Sequence, residues 1–207
     1  TGRDTLDLRI NFINNTIEKS INSIRQIANK KSIKIQFLEQ NPQFSGCHTG
    51  VETFNNEGKL NQFTDKPADI TIEDLLVSSH ITPPSLLIKK STLAKVNFFD
   101  HTMKCSEDHD LSMRILLAGD KIGFLDQVLT RVRRMNHGNI SSNGRSTFIG
   151  HWQLMKKHRS TFNAHPKLKH QFMYKTCMTA GGKTVGLEKK CYYLLGKLIK
   201  ILFSVKD

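Results

Sequence analysis

The sequence lacks any apolar stretch of about 18 residues, which excludes a bilayer-spanning helix on length alone, and it shows no secretory signal pattern. Its four cysteines, Cys47, Cys105, Cys177 and Cys191, are scattered with no close Cys-x-x-Cys pair. That spacing excludes a zinc finger and a disulfide framework, and predicts reduced thiols in a reducing compartment. Acids are nearly missing from the carboxyl-terminal part. Residues 151–207 hold 12 Lys and Arg against only Glu188 and Asp207, a net +10, whereas residues 1–150 hold 19 against 16, a net +3. The overall +13 therefore belongs to the tail. No helix-turn-helix or RNA-recognition signature is present, and basic residues are not interleaved with aromatics as a single-strand groove requires, so nucleic acid is not the expected partner. The run Ala180-Gly-Gly-Lys-Thr184 is no phosphate-binding loop, because Cys177 stands where the first glycine is needed. A turn between two helices is expected there.

What is present fits one domain with a proper core. The 207 residues are 38% apolar and 24% charged, and no internal repeat or low-complexity run interrupts them. An amphipathic helix is expected from about Ile13 to Ala28, with Ile17, Ile21, Ile24 and Ala28 on one face. Helix over Lys34–Glu39 should stop at Asn41-Pro42, since proline disfavours the helical state in the residue before it. Strand over Ser45–Phe54 followed by Asn55-Asn-Glu-Gly58 predicts a hairpin. A short helix over Ile72–Ser79, a break at Pro83-Pro84, and strands over Ser85–Lys89 and Lys121–Asp126 complete an α/β reading.

The densest chemistry is Glu107-Asp108-His109-Asp110. Three carboxylates within four residues repel one another, but a helix start tolerates them, because its free amides and the positive end of its dipole favour negative charge. Ser106 is the expected N-cap, Leu111, Met113, Ile115, Leu117 and Ala118 the apolar stripe, and Gly119 the stop. Acids in such a position either stabilise the helix start only or project a firmly held carboxylate into a cleft, as a general base requires.

The segments around this helix occur in a particular order. Upstream stand Gln36-Phe-Leu-Glu-Gln-Asn-Pro42, His48-Thr-Gly-Val-Glu-Thr-Phe-Asn-Asn-Glu-Gly-Lys59, Glu73-Asp-Leu-Leu-Val-Ser-Ser-His-Ile-Thr-Pro-Pro84 and Leu93-Ala-Lys-Val-Asn-Phe-Phe-Asp100; downstream stands Arg131-Val-Arg-Arg-Met-Asn-His-Gly-Asn-Ile-Ser141. Over roughly residues 32–143 this series resembles the acceptor-side half of family 2 glycosyltransferases. The resemblance implies an incomplete GT-A (Rossmann-like) mixed sheet flanked by helices, with residues 1–31 a helical segment without a family match, 32–150 the half domain and 151–207 a basic helical appendage. It also implies inverting transfer of a sugar from a nucleotide-sugar donor to a cell-envelope glycan or lipid-linked acceptor, in the cytoplasm or on the inner face of the membrane. The family's divalent metal, Mg or Mn, is held by an Asp-x-Asp motif expected here near residues 21–24, where the chain reads Ile21-Asn-Ser-Ile24. With that motif missing, with no counterpart to the donor-binding half and with no opening Met, a truncated gene product or a fragment of a longer protein is expected.

By the resemblance, Asp108 is the base, Asp110 the second candidate, and Glu107 an acceptor-orienting or capping acid. His80 and Thr82 would line the acceptor cleft, Arg131 and Arg133 (with Arg134) would face the departing diphosphate, and His137 would complete a metal or diphosphate site. Each has a plainer alternative: helix capping for the acids, strand start for residues 80–84, solvated surface charge for the arginines and histidine. The tail places Leu187, Cys191, Leu194, Leu195, Leu198, Leu202 and Val205 on one side of a helix and Lys189, Lys190, Lys197 and Lys200 on the other. That pattern leaves open a stripe docked on the domain, an interfacial membrane helix, or a nucleic-acid arm. Three functions follow: a transferase portion, an inactive remnant serving as an interaction module, or a basic peripheral membrane protein.

Overall fold

The computed structural model describes residues 2–64, 66–134 and 143–205, with side chains from residue 18 onward. The chain forms two compact units, Thr1–Pro42 and Gln43–Asp207. The first is a single helix, α1 (Gly2–Gln40). It runs without a break through residue 31, where a domain boundary was expected, and ends where Pro42 demands. Asn41 closes it, donating from both its backbone nitrogen and Nδ2 to the Phe37 carbonyl at 3.0 and 2.8 Å.

The second unit is α/β, built on a four-stranded mixed sheet. Its centre is β1 (Gly46–Asn55), seven of whose ten residues are buried. One edge of β1 is shared in turn by β3 (Leu87–Ile88), antiparallel at Gly46 and Cys47, and by β2 (Gly58–Phe63), antiparallel from Val51 to Asn55. Along the other edge β4 (Ile122–Arg133) runs parallel, its register stepping around Thr49 and Gly50. β4 is twice the length of the strand expected at 121–126, so Arg131 and Arg133 lie on the strand and Arg134 just beyond it. The β1–β2 hairpin turns as its sequence dictates: Asn55 Oδ1 accepts from the Glu57 and Gly58 amides at 2.9 and 3.1 Å, and Gly58 takes a φ of +133° that a side chain would resist.

Helices pack against the sheet at Ile122 and Ile88, while all six residues of β2 stay exposed. α2 (Ile72–Leu75) starts with a capping box in which Thr71 and Asp74 satisfy each other's backbone amides, a signal present in the sequence as Thr-x-x-Asp. α3 (Lys90–Lys95) leads to the turn at Asn97 and Phe98, both at positive φ. α4 (Glu107–Leu117) buries Leu111, Met113 and Ile115, while Leu117, expected in its stripe, is half exposed. Gly119 at φ +81° ends it. Then follow α5 (Gly144–Lys157), α6 (Arg159–Ala164), α7 (Pro166–Gly182) and α8 (Gly186–Phe203). The boundary expected at residue 150 falls inside α5. Nor do residues 151–207 stand apart as an appendage: Leu154, Met155, Phe162 and Phe172 share one core with Leu75, Leu76, Leu111 and Ile122. Each fully buried side chain of that size contributes about 2 kcal/mol, enough to tie these helices to the sheet.

Candidate functional site

A cavity of about 520 Å³ opens where α4 begins. That volume falls in the range of about 300–1,000 Å³ typical of sites for small organic ligands. Its walls come from the 77–79 loop, the Cys105–His109 segment, Thr147 and His151 of α5, Phe172 through Thr179 of α7, and Lys183 just beyond it. Ser106 precedes the helix at φ +65°, and its side chain makes no cap hydrogen bond, contrary to the expectation from sequence. A buried non-glycine residue in the left-handed region costs about 1–3 kcal/mol, and such strain concentrates at working sites. The amide of His109 is served instead by Asp108, whose Oδ1 accepts from it at 2.8 Å.

Asp108 lies on the cavity wall. Burial pushes its carboxyl above its ordinary pKa and the charge of Glu107 adds to the push, while the His109 amide works against both. His109 is buried, donates from Nε2 to the Leu75 carbonyl at 2.6 Å, and packs edge-on to Phe172. Burial brings its pKa down to about 4, and the positive charge that His158 and His80 can carry also lowers it. His151 lies 2.9 Å from the Thr176 hydroxyl, and burial lowers it to about 4 as well. Two neutral imidazoles, a proton-hungry carboxyl and the cation of Lys183 thus share one partly apolar chamber. Sequence reasoning missed His151, Thr176 and Lys183, because contacts between α4, α5 and α7 leave no local pattern. The Ala180–Thr184 run did carry a signal: Ala180, Gly181 and Gly182 close α7, and the turn expected there begins only at Lys183, which it delivers to the cavity.

Asp110, the second candidate base, is fully buried and fully engaged. His158 Nε2, Lys157 Nζ and Arg114 Nε donate to it at 2.8, 2.9 and 2.9 Å. Burial alone would raise its pKa, but these three donors outweigh burial and bring it down to about 2. A carboxylate so held, the second candidate for the base, has both oxygens occupied by donors. Its role is to bind elements together: Lys157 also donates to Asp100 at 2.6 Å, and Arg114 reaches the carbonyls of Val96 and Phe98. The phenylalanine-phenylalanine-aspartate turn is thereby clamped to α4 and α5. Glu107 is exposed at the start of α4.

The other expected residues do not converge on Asp108. His80 and Thr82 line a second cavity of about 430 Å³ with Thr53, Gln62, Lys66 and Arg134. Ser79 is common to the walls of both cavities. Lys66 donates to the His80 carbonyl at 2.6 Å, and burial lowers its pKa. Arg131 is instead paired with Glu52 at 2.8 Å and lies over the Phe54 ring, and Arg133 hydrogen-bonds Asn56. Alternation along β4 explains this, since a strand turns successive side chains to opposite faces. Of the three arginines, Arg134 is the one that lines the second cavity, beside Lys66. His137 lies outside the described residues.

Among the described residues, the carboxylates by which the resemblance would hold a divalent metal are missing. The window where its carboxylates should stand lies within α1 and holds no acid, and among the described residues no group of three or more His, Cys, Asp or Glu is placed to hold an ion. No family model, no curated protein and no solved structure matches the chain.

Proposed function

We propose that this chain is the acceptor-side portion of an inverting glycosyltransferase with an incomplete GT-A sheet, and that Asp108 is its general base. The observation that carries the reading is the placement of Asp108: a carboxyl on a helix's first turn, lining a ligand-sized cavity, with its proton affinity raised by burial. The acceptor hydroxyl enters the cavity and attacks the anomeric carbon of the sugar. As the new C–O bond forms, the proton passes to Asp108, and the bond to the nucleoside diphosphate breaks on the opposite face. A hydroxyl is a weak nucleophile at neutral pH, and a positioned base contributes about 10²–10⁴ in rate. The raised affinity of Asp108 brings it closer to the working pH, which favours transfer. Lys66 and Arg134, across Ser79 in the second cavity, supply positive charge suited to a departing diphosphate. The ordered segments at 36–141 support the same reading.

A second reading has its own support. The acid-free window at residues 21–24 favours a remnant that retains acceptor binding and has lost donor chemistry. Both readings predict that the isolated chain releases little or no nucleoside diphosphate from nucleotide-sugars. They part in a form joined to a donor-binding half, where only a transferase gains turnover.

The test is amide NMR of the isolated chain titrated with envelope oligosaccharides. Shifts at Ser106, Asp108, His151 and Lys183 are expected, and weaker binding in Asp108→Asn. If no saccharide moves these resonances, or if the joined form transfers sugar undiminished with Asp108→Asn, the proposal fails.

A further inference from the structure

The leucine stripe of α8 is not the side by which the helix docks. α8 rests on α7 through Gly196, where a Cβ would lie 3.2 and 3.3 Å from Met178 Sδ and Cys177 Cβ, and through Tyr193, whose ring covers Gly181. Ile199 completes that inner side and is 5% exposed. The choice of contact follows from close approach: a glycine lets two helices meet more tightly than a leucine row does. The consequence is that Leu187, Leu194, Ile201 and Leu202 are turned outward, 77, 61, 76 and 71% exposed.

The outward face continues onto α5. Ile149 and Trp152, the only tryptophan, are 41 and 52% exposed. Between them and α8 runs an apolar groove of about 440 Å³, walled by Phe148, Trp152, Leu195 and Ile199. Cations edge this surface. Lys190 and Lys197 flank the leucines at helical spacing, and Lys156, Arg159 and Lys169 stand with Trp152 around the adjoining hollow. Monomeric soluble proteins seldom expose a contiguous apolar patch of this kind without a partner.

We propose that the outward face of α8 and α5 seats on an anionic bilayer surface. Charge selects this occupant. A second copy using the same patch would bring one lysine-edged surface against another, since a two-fold contact sets the patch against itself. Anionic headgroups instead offer opposite charge at the rim and an acyl boundary for the leucines, and an exposed tryptophan suits the zone between the two. No described helix is long and apolar enough to cross a membrane, so α8 would lie in the interface and not span it. Seating on a bilayer and base catalysis by Asp108 use separate residues, and neither fails with the other.

The test uses the whole chain with vesicles of phosphatidylcholine alone and of phosphatidylcholine mixed with phosphatidylglycerol. Sedimentation with the anionic vesicles is expected, together with a blue shift of Trp152 emission. Leu194→Glu combined with Ile201→Glu should abolish both, with circular dichroism unchanged because these side chains are exposed. Lys190→Gln combined with Lys197→Gln should weaken partitioning about 10- to 30-fold, from a contribution near 1 kcal/mol per cation. Equal uptake by uncharged vesicles, no uptake at all, or full binding by the double glutamate variant each overturns the proposal. A dimer in the ultracentrifuge that the glutamates dissociate, without vesicle binding, assigns the face to a second copy and overturns it too.

Discussion

Asp110 accepts from three nitrogens with no exposed surface, while Asp108, two residues away, lines a cavity and keeps a raised affinity for its proton. Removing the two carboxylates should therefore have opposite signatures. Asp110→Ala strands Arg114, Lys157 and His158 without their common acceptor, and breaking such a buried group costs about 3 kcal/mol. Chemical denaturation should show that loss, and an unchanged midpoint would mean that water serves the three donors equally well. Asp108→Asn removes a charge that its surroundings resist, while the amide oxygen still accepts from the His109 nitrogen. Its melting temperature at neutral pH should equal or exceed that of the unaltered chain, while transfer by a donor-competent form falls by about 10²–10⁴. A clear drop in melting temperature would make Asp108 a helix-stabilising acid.

Among the elements, those set by local chemistry were legible in the sequence. Asn41-Pro42 ends α1, Asn55 through Gly58 turns the hairpin, and Gly119 stops α4, each through a backbone constraint carried by the residues themselves. What was not legible depends on partners distant in the chain. The direction of the α8 leucines was decided by Gly196 meeting Cys177 and Met178, a contact that no periodicity within α8 encodes. The length of β4 reflects pairing with the whole of β1, and the separation of Arg131 from the cavity follows from that pairing. The acid cluster is legible as a candidate site, but its division into a cavity carboxyl and an ion-pair hub depends on His158 and Lys157, which lie far along the chain. Gly150 shows how closely α5 supports the site. A Cβ there would lie 2.6 Å from both the Cβ and the carbonyl oxygen of Cys105, one residue from the strained Ser106. Gly150→Ala should destabilise by about 1–3 kcal/mol, the usual cost of overpacking. It should also shift the amide resonances of residues 105–108 more than those of β1. Unperturbed resonances there would show that the wall is soft.

For the molecule as a whole, the two low-affinity histidines make stability depend on pH above the range of ordinary carboxylates. His109 and His151 titrate near 4 when folded, against an ordinary value of 6.5. Between those values the unfolded chain binds protons that the folded chain refuses, so stability is full above about 6.5 and drains away as the pH falls towards 4. His109, 2% exposed, accounts for about 3 kcal/mol of that loss. Asp110 plays no part in this window. Its folded value near 2 lies below its ordinary 3.8, so its contribution is lost only on further acidification through that lower interval. Asp108 acts with the opposite sign, since its folded form holds a proton more tightly, and acidification through its raised value recovers a little stability. Urea unfolding between about pH 7 and about pH 4.5 should therefore show a falling midpoint. His109→Gln, whose amide can still donate to the Leu75 carbonyl, should flatten the dependence to about half. A variant that loses stability equally at every pH, with the slope intact, would mean that the imidazole is charged in the folded chain and that the chamber around Asp108 is wetter than its packing implies.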